Sequence, residues 1–220
     1  MSRASDTILV EGPVGSVQTL VDEPDVLKGL ALVAHPHPLF GGANNNKIVY
    51  TIAHCLRDHG YLALRPNFRG VGKSAGAHDH GMGETEDLLA VLHYAQGRWD
   101  PTRALPVILA GYSFGAFVQT RVAKRLTDLG RPAEQLILVA MAAGEVEGLR
   151  RYQPEPVPYG SLLIHGGLDT TVPLANILAY AGPLDLLVTV MPGADHFFHG
   201  RLHFLREIIE RDQRSRVQSA

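Results

Sequence analysis

A serine with glycine two positions away on either side, Gly111-Tyr112-Ser113-Phe114-Gly115, stands directly between an apolar run of strand length and an amphipathic helical run. In that context the chain must reverse within a few residues, so that the hydroxyl projects from the strand end and side chains at the glycine positions would collide. Ala110 and Ala116 extend the same demand for small residues one step outward. The helix begins at Phe114 with its positive end toward the hydroxyl, which favours the oxyanion formed when a serine attacks a carbonyl. The chemistry this pattern suits is nucleophilic acyl transfer. The competing reading is a tight turn in which Ser113 only caps the helix, serine being a favoured N-cap.

A serine hydroxyl is a weak nucleophile at neutral pH and needs a base, usually histidine held by a carboxylate. Downstream, Leu163-Ile-His165-Gly-Gly-Leu-Asp169-Thr-Thr-Val-Pro173 places a carboxylate in a loop just after a buried strand. Then Val188-Thr-Val-Met-Pro-Gly193-Ala-Asp195-His196-Phe-Phe-His199 places histidine in the loop between the last strand and the closing helix. Loops that leave the carboxyl ends of strands in one parallel sheet share an edge, so the order Ser, Asp, His brings all three to one place. Glu145 is the alternative acid and His199 the alternative base; Asp195 adjoins His196 too closely in sequence to reach around its ring and reads as a loop or cap residue. One oxyanion donor would be the N–H of Phe114. The other would come from Ala34-His35-Pro36-His37-Pro38-Leu39-Phe40-Gly41-Gly42, where the prolines lack N–H and leave His37, with Leu39 in reserve. Leu39, Phe40, Tyr112 and Phe197 are expected to edge the substrate pocket.

These residues need a scaffold, and the rest of the chain supplies one. Short apolar runs from Thr7 to Val21, broken at Gly12-Pro13 and Gly15, read as an opening hairpin. Gly29 to Ala34 is a nearly unbroken apolar run, as expected of a strand covered on both faces. Strand and helix periods then alternate: helix 47–59, strand 61–65, helix 84–96, strand 106–110, helix 114–129, strand 135–140, strand 161–165, helix 174–180, strand 184–191 and helix 201–211. The prediction is an α/β fold with a mostly parallel sheet of eight strands flanked by helices, in one domain over residues 1–220. The stretch 144–160 has no clear period and is too short for a folded lid, and the polar tail 213–220 is expected to fray.

With 220 residues, 45% apolar and 19% charged, the chain is long enough for one substantial core and ordinary for a folded soluble protein. A formal charge of −2 gives no footprint for phosphate backbones or an anionic membrane surface, so neither nucleic acid nor membrane is an expected partner. The single Cys55 reads as a buried, inert thiol in a reducing compartment. The first residues lack the apolar core of a signal peptide, and the expected location is the cytoplasm.

Three rival readings compete with this one. Gly70-Val-Gly72-Lys73-Ser74 imitates the end of a phosphate-binding loop, which would make a nucleotide-binding protein; Asn67 stands where the first glycine belongs, and residues 75–81 cannot start a helix over phosphates. Eleven histidines invite a metal, with His35 and His37, His78 and His80, and His196, His199 and His203 in clusters. None matches a zincin helix, and alternate residues on an extended loop point apart, so no metal is expected. A non-catalytic binding protein on the same fold is the third.

Together, His35-Pro-His-Pro with Gly41-Gly42, Asn67-Phe-Arg-Gly-Val-Gly-Lys-Ser74, Gly111-Tyr-Ser-Phe-Gly115, Gly166-Gly-Leu-Asp169 and Gly193-Ala-Asp-His196 resemble the α/β-hydrolase superfamily, in particular small lidless bacterial hydrolases similar to dienelactone hydrolases. The resemblance implies the eight-stranded fold, a triad at Ser113, Asp169 and His196, no cofactor, and a small ester or related acyl compound as substrate; oligomeric state is not implied. Dienelactone hydrolases carry cysteine at the nucleophile position, whereas this chain has Ser113, so their substrate is not carried over. The oxyanion loop also departs, opening His-Pro-His rather than the commoner His-Gly.

Overall fold

The computed structural model describes residues 5–146 and 150–219. Its main sheet has eight strands: β1 (Asp6–Gly12), β2 (Gly15–Asp22), β3 (Gly29–Ala34), β4 (Tyr61–Pro66), β5 (Val107–Tyr112), β6 (Gln135–Val139), β9 (Leu162–Gly166) and β10 (Val188–Met191). They lie in the order β1-β2-β4-β3-β5-β6-β9-β10. β1 pairs antiparallel with β2, and β2 antiparallel with β4; every later pairing in this sheet is parallel.

Alternation along the central strands divides the core in two. Leu30, Leu32, Leu62, Leu64, Leu109, Leu136 and Leu138 face helices α2 (Met82–Trp99), α3 (Phe114–Asp128) and α4 (Leu174–Ala181). Ala31, Val33, Ala63, Ile108, Ala110, Ile137 and Val139 face helices α1 (Lys47–Asp58) and α5 (Leu202–Ser219). Successive strand residues point to opposite faces, so a strand apolar at every position requires helices on both. Cys55 is buried in the second layer, its thiol pushed up to about 12 by burial first. No described helix is long and apolar enough to cross a membrane.

The expected alternation holds with three differences. The stretch without a period contains a separate two-stranded hairpin, β7 (Gly144–Val146) with β8 (Arg150–Tyr152), each strand too short to display a period. The last strand starts at Val188 rather than 184, because Gly182–Leu184 form a 3-10 turn and Asp185 turns left-handed at φ 53° before the chain re-enters the sheet. The final helix runs on to Ser219, beyond the expected fraying point, because buried Gln213 donates from Nε2 to Gln135 Oε1 on β6 at 2.6 Å. The acidic residues that open α2 are held by the loop before it. Glu84 is fully buried and accepts from the N–H groups of Asp79 and Gly81, both at 2.8 Å, and Asp87 takes the guanidinium of buried Arg69 at 2.8 and 2.9 Å.

Candidate active site

Ser113 sits at the carboxyl end of β5 with φ 55° and ψ −116°, a backbone conformation that costs an L residue on the order of 1–3 kcal/mol. Its side chain makes no capping hydrogen bond to α3, which removes the capping reading. The glycines are there for contact. A Cβ on Gly115 would lie 2.4 Å from the carbonyl oxygens of Ala34 and His35, and one on Gly111 would lie 2.6 Å from the backbone of Gly115 and Ala116. The turn can therefore close only with hydrogen at both positions.

His196 follows β10 and bridges the other two side chains. Its Nε2 is 3.1 Å from Ser113 Oγ and its Nδ1 is 2.7 Å from Asp169 Oδ2. The network assigns the tautomer: Nδ1–H donates to the carboxylate and Nε2 accepts from the hydroxyl. Asp169 is held in the β9 loop by its other oxygen, Oδ1, which accepts from Thr171 N–H at 3.0 Å and Val172 N–H at 2.8 Å. All three residues are largely buried, Ser113 the most open at 9% exposure.

The alternatives stand elsewhere. Glu145 is exposed on β7, with its carbonyl bonded to Asn176. His199 is a solvent-facing side chain paired to Asp195 at 2.6 Å. Asp195 also accepts from His199 N–H at 3.1 Å, the cap role expected of it, and His199 holds its carboxyl below the usual carboxylate range.

In the first loop the N–H of Leu39 turns back onto His37 Nδ1 at 3.3 Å, which leaves the N–H of His37 as the loop's candidate oxyanion donor; Phe114, the other candidate, is the first residue of α3, where an N–H has no partner within its own helix. Burial first, then the charges of His78 and Arg150, hold the His37 imidazole down to about 4, so it is neutral at pH 7. His35 does different work. Its Nδ1–H donates to Pro36 O at 2.7 Å and its Nε2 accepts from Phe68 N–H at 2.8 Å, tying the β3 and β4 loops together. Complete burial pushes it down to about 4 as well.

Of the expected pocket residues, Phe40, Tyr112 and Phe197 line a cavity of 210 Å³ that contains Ser113 and His196, together with His37, Asn46, Arg150 and Thr171. Leu39 lines a neighbouring chamber of 450 Å³, to which Phe40 also contributes. Phe40 and Phe197 are exposed rims. Tyr112 is more than an edge: it is buried, and its hydroxyl donates to the carbonyl of His196 at 3.0 Å, fixing the base from behind.

Sequence reasoning missed three contributors. His165 is buried in β9, its Nε2–H donating to Val172 O at 2.9 Å while lying 3.5 Å from Asp169 Oδ2, so it braces the loop that carries the acid. Arg150 reaches both cavities from the hairpin, and Arg121 reaches the larger one from α3. The hairpin's lack of a period hid Arg150, while His165 read as one more residue of a buried strand.

The phosphate-loop imitation is spent on structure. Ser74 Oγ donates to Asn67 O and accepts from Gln18 N–H, Gln18 Oε1 accepts from Lys73 N–H, and the next helix starts only at Met82. Among the described residues no three His, Cys, Asp or Glu side chains converge as a metal site.

No family model matches the chain. It is 38% identical to an alpha-beta serine hydrolase homologue from Coxiella burnetii, whose structure superposes with a TM-score of 0.82 over 96% of this chain and 99% of that one. It is 35% identical to a serine hydrolase without a lid from Xanthomonas campestris, also at a TM-score of 0.82, over 98% of this chain and 96% of that one. An uncharacterized protein of Rickettsia prowazekii is 32% identical over 77% of this chain and 71% of its own length. With a mostly parallel eight-stranded sheet, a serine at the sharp turn after β5 and relatives of this identity along nearly its whole length, the chain belongs to the lidless α/β serine hydrolases.

Proposed function

We propose that this hydrolase is a carboxylesterase-like enzyme that cleaves small esters through an acyl-enzyme on Ser113. The carrying observation is the bridging imidazole of His196, 3.1 Å from the hydroxyl and 2.7 Å from the carboxylate of Asp169. In this reading Ser113 Oγ bonds to the ester carbonyl carbon as its proton passes to His196 Nε2. The N–H groups of Phe114 and His37 hold the resulting oxyanion. The carbon–oxygen bond to the alcohol then breaks, and the alkoxide leaves with the proton from His196. Water, deprotonated by the same nitrogen, repeats the sequence on the acyl group and restores the serine. Asp169 keeps Nδ1–H oriented and stabilises the imidazolium.

The preformed geometry supports the oxyanion roles: Leu39 N–H is already engaged, and Pro36 and Pro38 stiffen the loop, so donors need not reorganise as charge develops. A cavity of 210 Å³ at the serine suits small acyl or alcohol groups. No cofactor takes part in this scheme. Turnover of short p-nitrophenyl esters tests it: Ser113→Ala should lose about 10³-fold or more in kcat, chelators should change nothing, and a fluorophosphonate should modify Ser113. Labelling on another residue, or full turnover by the alanine variant, would refute the assignment.

A further inference from the structure

Two larger chambers adjoin the 210 Å³ serine cavity, and they do so through different walls. One, of 450 Å³, shares His37 and Phe40 with it; the other, of 410 Å³, shares Asn46 and Phe197. The two chambers have no described lining residue in common.

An ester has two halves, and the chemistry of cleavage decides which half lies where. The leaving alkoxide takes its proton from His196 Nε2, so the alcohol half must sit on the histidine side of the serine. Phe197 follows His196 directly, its ring edge-on to the imidazole with centroids 5.3 Å apart, and the chamber that Phe197 shares is the one on that side. The oxyanion belongs to the N–H groups of Phe114 and His37, and both residues line the other chamber. That chamber is left for the acyl half.

The wall of the acyl chamber is built of rings. The His37 centroid lies 4.8 Å from that of Phe114 and 4.9 Å from that of Phe40, while Tyr152 of β8 stands edge-on to Phe114 at 6.0 Å and to Phe117 at 5.1 Å. Phe114 and Phe117 are buried, Tyr152 is half-buried and Phe40 is exposed, so the rings run from the inner wall to the rim. Ring pairs gain from their quadrupoles beyond the area they bury, so such a wall favours a flat aromatic group over a saturated ring of similar size. We infer that the 450 Å³ chamber receives the acyl half of the substrate as an aromatic ring on a short linker, and that the alcohol half lies against Asn46 and Phe197. This rests on the esterase reading above and narrows it to esters of arylalkanoic acids.

The test compares methyl and benzyl esters of phenylacetic, 3-phenylpropanoic and 4-phenylbutanoic acids with their cyclohexyl counterparts. The wild type should prefer at least one aromatic acyl group over its saturated counterpart by about threefold or more in kcat/KM. Tyr152→Leu keeps apolar bulk without the ring and should lower that ratio about twofold or more, whereas Tyr152→Phe should keep it. The acyl group stays bound after the alcohol has gone, so in rapid-mixing experiments with the p-nitrophenyl ester Tyr152→Leu should also change the rate of deacylation about twofold or more. Phe197→Leu should instead shift the ratio of benzyl to methyl ester turnover. If Phe197→Leu moves the acyl ratio and Tyr152→Leu the alcohol ratio, the halves lie the other way round and the inference is overturned. An aromatic-to-saturated ratio near one throughout the series, or one that Tyr152→Leu does not move, overturns it too, while the esterase reading stands because the same esters are cleaved in a Ser113-dependent manner. If no ester is cleaved at all, the esterase reading fails and the inference falls with it.

Discussion

Replacing Ser113 separately by glycine and by alanine isolates the cost of the backbone conformation at that residue. Both variants lose the hydroxyl and its contact with His196, so the difference between them reports the backbone alone. At φ 55° and ψ −116° an L residue bears about 1–3 kcal/mol of strain that glycine does not. Glycine in turn loses about 0.5–1 kcal/mol more chain entropy on folding than alanine. The balance leaves Ser113→Gly more stable than Ser113→Ala by about 1 kcal/mol, or about 2–4 °C in Tm at this chain length. That inverts the order these residues show in ordinary helices and strands. Urea unfolding followed by circular dichroism, with the two variants compared at matched m-values, measures it. An alanine variant as stable as the glycine variant, or more so, would mean that the turn is not strained and that its geometry has another cause.

Further outcomes follow from other contacts. Asp169→Asn keeps an oxygen for the N–H groups of Thr171 and Val172, so the fold should persist while kcat on a p-nitrophenyl ester falls about 10³–10⁴-fold; a loss under tenfold would remove Asp169 from the orienting role. Gly115→Ala forces a methyl to 2.4 Å from two backbone carbonyls and should lower stability by about 3 kcal/mol or more, seen as a depressed urea midpoint; an unchanged midpoint would show that the strand and helix can part at no cost. Ester hydrolysis should rise from pH 5 to 8, because His196 must be unprotonated to accept from Ser113, and a flat profile would contradict its role. Stability should move in the same direction. His35 is held at about 4 when folded against 6.5 unfolded, so above pH 6.5 both states are neutral and stability is full, whereas below it the unfolded chain takes up the proton first. The loss completes as pH falls through about 4 and amounts to about 3 kcal/mol for this one residue; a urea midpoint unchanged between pH 7 and 4.5 would refute it.

The residues that local rules could place were those whose position depends on one element and one turn. A strand apolar at every position must be central, and the loop at its carboxyl end must reach a shared edge, which is enough to bring Ser113, Asp169 and His196 within reach of one another. What local rules missed depends on partners remote in the chain. Glu84 and Asp87 carry no local sign of their partners, which come from the loop from Arg69 to Gly81. Tyr112 reads as a pocket edge, yet its hydroxyl is committed to the backbone of His196, 84 residues away. The phosphate-loop imitation fails for the same reason in reverse, because Gln18 on the opening hairpin occupies the N–H of Lys73 that a phosphate would need.

Substrate class is harder to read than reaction class. Attack by a serine demands a fixed local geometry, so it leaves glycines, a sharp turn and an ordered set of loops in the sequence. A side chain that lines a cavity needs only to arrive at its wall. Arg121 does so from a helix whose period records only its buried face, and Arg150 from a three-residue strand with no period at all.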